Sequence, residues 1–235
     1  MDTLQGDWAM VPSQDDRLTH QEIFSKTYEA LADRVEQDVG ERGIFNFAGG
    51  AHEVERVVKE SYDPRSFISG AQPQDFVFRD SLMAMRDVHS VTVAMKRILD
   101  TQPIISTDRL RDIYNVAFML PKMSSEQIRE LVTHGMDEAH QRALNRVIEL
   151  ARKILADPNN KVSLSDLSKQ LGSHLFLPLD YYSNIETSLV YRENGVKKGR
   201  PLAASELATG GVEMDRRERI NRLLFEALLA QPEQV

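Results

Sequence analysis

The 235-residue chain contains 41% hydrophobic and 28% charged residues, a balance typical of a globular protein with one substantial core. It has no cysteine, which excludes disulfides, thiolate metal sites and cysteine nucleophiles. The formal net charge of −7 argues against broad, sequence-independent adhesion to nucleic acid, because such adhesion needs a basic surface.

Residues 1–18 show no sustained apolar periodicity, and we predict an extended N-terminal arm there. Trp8, the only tryptophan, either packs on the chain's own core or anchors the arm on a neighbouring subunit. Our hypothesis for the second case assigns the contact to the arm's apolar residues, which are Leu4, Trp8, Met10 and Val11.

Neither a signal peptide nor a membrane span is expected. The first 16 residues contain four aspartates and no lysine or arginine, which is not typical of a secretory leader. The apolar runs are far shorter than the roughly 20 residues that cross a bilayer. We therefore expect a cytoplasmic or virion location.

Helices dominate the predicted domain at 19–157. Thr19 and Glu22 form a capping-box pattern ahead of a helix at 19–38. Glycines then interrupt the chain, and Ile44, Phe45 and Phe47 predict an apolar loop tucked under a helix. The remaining predicted helices are a short one that ends at Asp63-Pro64, one long or two tandem helices at 74–100, and three more at 106–120, 124–133 and 136–156.

The turn-forming sequence at 157–160 predicts a domain boundary, with a small C-terminal domain at 161–235. Ser163 and Asp166 predict the cap of a short helix that ends at Gly172. Two strand-like segments around Asn194-Gly195 predict a hairpin, and a terminal helix starts near 214. The predicted fold is mainly α: an irregular helical bundle with a small mixed α/β C-terminal region that contains a hairpin.

The sequence carries no recognisable catalytic signature. The two histidines at 134 and 140 are six residues apart, whereas zinc-binding helices place them four apart. There is no phosphate-binding glycine loop, no G-x-S-x-G elbow and no S-x-x-K motif. We predict no metal, no cofactor and no enzymatic activity.

The predicted hairpin is basic, with four cations, Arg192, Lys197, Lys198 and Arg200, against one acid. The Lys198-Gly-Arg-Pro201 sequence is similar to the core of the AT-hook, and together with 163–172 the segment resembles parts of a winged helix. The resemblance covers about forty residues and departs from the winged-helix pattern at 173–180, where a short turn should lead into a recognition helix. The resemblance implies that the four cations contact DNA, but the interpretation we favour is a solvated hairpin or turn on a structural domain.

The preferred hypothesis is a non-enzymatic structural or adaptor subunit of a larger assembly, such as a phage or viral particle or a bacterial secretion machine. Its expected partners are other protein subunits, including copies of itself. The alternative is a winged-helix-like DNA-binding regulator that uses the C-terminal region.

Overall fold

The computed structural model describes residues 18–67, 76–176, 190–193, 196–199 and 218–230, the two short central ranges by their backbone alone. The fold is mainly α, as the sequence predicts. The helices are α1 (His20–Gln37), α2 (Ala51–Ser61), α3 (Val77–Met83), α4 (Val88–Thr101), α5 (Thr107–Asn115), α6 (Ser125–Thr133), α7 (Glu138–Ala156), α8 (Leu164–Leu167), α9 (Ser173–Phe176) and α10 (residues 218–229).

Side-chain caps fix the start of several helices. At α1, Thr19 Oγ1 accepts from the backbone N–H of Glu22 while the Glu22 carboxylate accepts from Thr19 N, so the predicted capping box is confirmed. Ser124 and Gln127 form the same arrangement at α6. Asp137 caps α7 by accepting from the backbone of His140.

The predicted helix at 74–100 is two helices rather than one. Asp87 caps α4, and the chain bends just before it. The carbonyl of Met85 accepts two hydrogen bonds, at 3.1 and 2.6 Å, from the buried guanidinium of Arg34 on α1. The break is stable because Arg34 satisfies a carbonyl that the helix no longer pairs.

Ion pairs connect α1 to α7, which pack side by side. Arg146 lies 2.6 Å from both Asp33 Oδ1 and Glu36 Oε2, and Lys153 also pairs with Glu36. Because Arg146, Asp33 and Glu36 are partly buried, their pairs are less screened by salt than surface pairs, whereas Lys153 is exposed. Beneath them, α1 and α7 share one apolar core with α4.

Most of the described residues beyond 160 are helical. The predicted helix at 163–172 does not end at Gly172; a π-helical turn (Ser168–Gly172) joins α8 to α9. Leu175 and Phe225 belong to the same hydrophobic cluster as the residues of α1 and α7, and Arg129 and Arg152 donate to the carbonyls that end α10. The division of the chain into two domains stays a prediction.

Two short strands, β1 (Val190–Glu193) and β2 (Val196–Gly199), pair antiparallel, with Glu193 opposite Val196. The Asn194-Gly195 turn between them lies outside the described residues. Four residues in each strand do not make a mixed α/β region, and the prediction of one is not supported: the helices on either side instead join the helical core through their apolar faces.

Candidate functional site

The loop at residues 43–50, between α1 and α2, combines exposed side chains with a constrained backbone. Ile44 and Phe45 are fully buried, whereas the next three residues, 46–48, are exposed and form the tip of the loop. Phe47 leaves 53% of its surface in solvent, a large exposure for an aromatic ring. The buried residues Ile44 and Phe45 anchor the loop in the core, while the exposed residues 46–48 are accessible to a partner.

The backbone of the 43–50 loop adopts an unfavourable conformation. Phe45 has a φ of 71°, in the left-handed region that bulky residues rarely occupy. Such a residue costs on the order of 1–3 kcal/mol and persists only where its surroundings hold it. Gly43 also has a φ of 71° and accepts a 2.7 Å hydrogen bond from Asn46 N, so the chain turns tightly just before the tip.

The segment that follows α7 holds the start of the loop. Gly43 N donates to Asn160 O at 3.0 Å. The buried side chain of Asn160 in turn donates to Val39 O at 2.9 Å and to Ile154 O at 2.7 Å, which joins the ends of α1 and α7. Next to it, the exposed Lys161 has a φ of 56°. Two non-glycine residues in the left-handed region therefore flank the same backbone hydrogen bond.

Lys96, on α4, holds the middle of the loop. Its ammonium donates to Phe45 O at 3.1 Å and to Gln170 Oε1 at 3.2 Å, and both acceptors are neutral. Burial lowers the pKa of Lys96, and the charge of Asp100 opposes that shift only in part. Within the described ranges Lys96 makes no ion pair, so its charge is not neutralised by a contacting carboxylate.

Ser90, at the start of α4, holds the end of the loop. Gly50 N donates to Ser90 Oγ at 2.7 Å, and this oxygen also lies 2.5 Å from Asp87 Oδ2 and 3.0 Å from Glu53 Oε2. Burial raises the pKa of Asp87, but hydrogen bonds from Ser90 and from nearby backbone N–H groups outweigh it and leave the pKa below its ordinary value. The charged Asp87 thus keeps Ser90 in place.

The ring of Phe47 packs against Gly43 and His89. A Cβ added at Gly43 would lie 2.4 Å from Phe47 Cε2, so the ring occupies the space that any other residue would fill. The ring also meets His89 edge to face, with centroids 5.2 Å apart. At the far end of the loop, a Cβ on Gly49 would lie 2.3 Å from Ser90 Cα. Phe47 therefore contacts both Gly43 and His89 although half of its surface is exposed.

The exposed tip of the loop carries only uncharged side chains. Its side chains are an amide, a phenyl ring and a methyl group, from Asn46, Phe47 and Ala48. A rigid, exposed aromatic is a common anchor of protein interfaces, because little side-chain entropy is lost when it is buried. In the part of the chain that the structure describes, no three His, Asp or Glu residues are grouped to hold a metal ion.

The residues predicted from the sequence to contact partners lie elsewhere. The arm residues are outside the described ranges: Leu4, Trp8, Met10 and Val11. Of the basic hairpin, Arg192 is on β1, Lys197 and Lys198 are on β2, and Arg200 is outside the described residues. Both assignments stay predictions.

The sequence pattern pointed to the 43–50 loop without identifying it as a site. The prediction of an apolar loop tucked under a helix holds for Ile44 and Phe45, whereas Phe47 is exposed. The available signal was an aromatic residue within a stretch that is rich in glycine.

No helix in the described ranges is long and apolar enough to cross a membrane.

The sequence matches no protein-family model, and no curated protein is significantly similar to it. Among solved structures, the chain is similar to the crystal structure of the BH domain from GRAF, the GTPase regulator associated with focal adhesion kinase. The TM-score is 0.54 at 15% sequence identity, with 88% of this chain and 91% of that domain covered. At this identity the likeness shows the fold alone: the chain has the helical fold of that BH domain.

Proposed function

We propose that this chain is a non-enzymatic protein-interaction domain whose partner is a GTPase, and that the 43–50 loop is its principal contact surface. The observation that carries the proposal is the half-exposed Phe47 on a strained loop that two separate parts of the chain, α4 and the segment after α7, hold in place. Strain of this kind accompanies ligand-binding segments, and preorganisation lowers the entropy that is lost on binding.

The GTPase part of the proposal rests on the fold likeness, because the protein that supplies the similar BH domain is described as a GTPase regulator. The likeness covers nearly all of both chains, so it extends over the whole helical fold and is not limited to one short motif. A phage particle or a secretion machine has no such support. DNA binding by the hairpin has none either, and the net charge of −7 disfavours it.

The non-enzymatic part rests on the residues of the loop tip. Proteins that accelerate GTP hydrolysis commonly insert an arginine, whose guanidinium stabilises the charge that develops on the phosphates. The tip residues 46–48 carry no positive charge, and the ammonium of Lys96 is engaged by Phe45 and Gln170. The arginine closest to the tip in sequence is Arg42, which is exposed just before the loop.

Calorimetric titration tests the binding. The chain is titrated with one representative of each subfamily of small GTPase, loaded with GDP or with a non-hydrolysable GTP analogue. We expect a saturable complex with at least one of them, weakened about tenfold or more by Phe47→Ala, as for an interface hot spot. Val77→Ala is the control, because Val77 is 58% exposed and lies on α3, outside the 43–50 loop.

Equal effects of the two substitutions, or no complex with any GTPase, would contradict the proposal.

The hydrolysis rate of the bound GTPase tests the non-enzymatic part. We expect less than a threefold change, which is about 0.7 kcal/mol of transition-state stabilisation. Acceleration of a hundredfold that is lost in Arg42→Ala would show instead that the chain supplies a catalytic arginine.

A further inference from the structure

A cavity of about 120 Å³ lies between α6, α7 and the end of α10. A water molecule occupies roughly 10–15 Å³ of such space, so the cavity has room for an ion of several atoms. Buried apolar side chains form one part of its wall, and they are Leu144, Ile148 and Leu228. The polar part includes two arginines, Arg129 of α6 and Arg152 of α7. The cavity thus combines apolar surface with two cations.

The last turn of α10 holds both guanidinium groups in place. Arg152 donates through Nε and Nη2 to Leu229 O and Leu228 O, at 3.0 and 2.9 Å. Arg129 donates through Nη2 to Ala230 O. Carbonyls at this end of a helix have no partner within the helix, so the arginines supply the donors that they lack. Because the two side chains are already ordered, a ligand that binds them loses little further entropy.

The charge of the two arginines is not neutralised by a contacting carboxylate in the described part of the chain. Neither forms an ion pair there, and Nη1 of each donates to no acceptor among those residues. The carbonyls at the end of α10 offset only about half of one charge. Of the described residues that line the cavity, only Glu149 is acidic, and its half-exposed carboxylate lies 3.8 Å from Arg146 Nη1, outside the lining. The cavity therefore favours an anion.

We infer that this cavity binds a phosphate group, either as the free ion or as the end of a small organic phosphate. Guanidinium groups bind phosphate oxygens through paired N–H donors, and two of them match the charge of nearly −2 that a phosphate carries near neutral pH. An apolar body attached to the phosphate would meet the apolar part of the wall. The site shares no residue with the 43–50 loop, so the inference does not rest on the proposed function.

Calorimetric titration of the full chain with inorganic phosphate, near neutral pH and at constant ionic strength, tests the inference. We expect saturable binding with a Kd on the order of 1 mM, and binding of acetate about tenfold weaker because acetate carries a single charge. Arg152→Gln should weaken phosphate binding about tenfold or more. Arg142→Gln is the matched control, since Arg142 is on the same helix, pairs with Glu138 and does not line the cavity.

Glu149→Gln gives a second test that leaves both arginines unchanged. Removal of this acid should tighten phosphate binding about threefold or more, because the anion no longer meets a like charge. Arginines that served only to hold α10 would produce no such gain. The variant should remain folded, since an exposed ion pair such as that of Glu149 with Arg146 stabilises little. It therefore decides the matter even if Arg152→Gln loosens α10.

Phenyl phosphate separates the two sources of the phosphate group. Its ring can pack on the apolar part of the wall, so we expect it to bind several-fold more tightly than inorganic phosphate. Equal affinities would overturn the organic phosphate as the ligand and leave the free ion.

Three results would overturn the inference as a whole. They are heats of phosphate binding that do not saturate, equal losses of affinity in Arg142→Gln and Arg152→Gln, and an unchanged affinity in Glu149→Gln. Phe47→Ala separates the inference from the proposed function. Phosphate should bind to this variant as it does to the wild type, whether or not the variant binds a GTPase.

Discussion

Gly43 has a φ of +71°, and a Cβ built on it lies 2.4 Å from Cε2 of Phe47. Two penalties therefore meet at one residue: left-handed backbone for a side chain, and a collision with the ring at the loop tip. Gly135 has a φ of +75° but nothing within 4 Å of its added Cβ, so it carries only the first penalty. The same substitution at Gly135 therefore measures the backbone penalty without the collision.

We predict that Gly43→Ala lowers the free energy of unfolding by about 2 kcal/mol or more, against about 1 kcal/mol for Gly135→Ala. Gly43→Ala should also weaken GTPase binding, because Phe47 must move, whereas Gly135→Ala should leave binding unchanged. Urea unfolding and calorimetric titration measure the two effects. Equal losses of stability and of binding in both variants would mean that Phe47 does not depend on Gly43.

At the residue scale, the sequence predicts burial better than exposure. Ile44 and Phe45 are buried as expected, but nothing in the local pattern separates them from Phe47. The difference arises from contacts distant in sequence: Asn160 is 117 residues from Gly43, and Lys96 is 51 residues from Phe45. A one-dimensional pattern does not contain these contacts, so the position of the loop could not be predicted.

The pairing of α1 with α7 is the clearest interaction between elements. Glu36 contacts both Lys153 and Arg146 across this interface. The hydrogen bond from Lys153 lowers the pKa of Glu36 below its ordinary value of 4.5, and Arg146 adds to the shift against an opposing effect of burial. The folded state thus binds a proton at Glu36 less readily than the unfolded chain does.

It follows that Glu36 stabilises the fold fully above pH 4.5, its ordinary value, and loses this contribution as the pH falls through its lower folded pKa. We predict that wild type loses on the order of 1 kcal/mol more stability than Glu36→Gln across this acid range. Glu130→Gln, at an exposed position of α6, is the control. Urea unfolding at a series of pH values gives the comparison, and parallel pH profiles for wild type and Glu36→Gln would refute it.

Helix starts could be predicted closely and helix ends less so. Capping residues act locally, and the starts of α1, α6 and α7 lie within two residues of their predicted positions. The break at Met85 depends on Arg34, fifty-one residues away, and the sequence left one or two helices open there. Gly172 was predicted to end a helix, but the chain continues through a π-helical turn into α9.

For the molecule as a whole, periodicity predicted the class of the fold but not its likeness to a known domain. Apolar spacing reports which face of each helix is buried, which suffices for a mainly α fold. The arrangement of the helices is shared with the BH domain from GRAF at only 15% identity, too little for residue patterns to show it. The absence of catalytic motifs favoured an adaptor but did not indicate its partner.

Amide hydrogen exchange, followed in the free chain and in its GTPase complex, tests the central claim most directly. In the free chain, the amides of Gly43, Asn46 and Gly50 should already exchange slowly, because each donates to a partner within the fold. On complex formation, the largest additional protection should fall on residues 43–50. Rapid exchange of these amides in the free chain, or protection confined to another surface in the complex, would contradict the account.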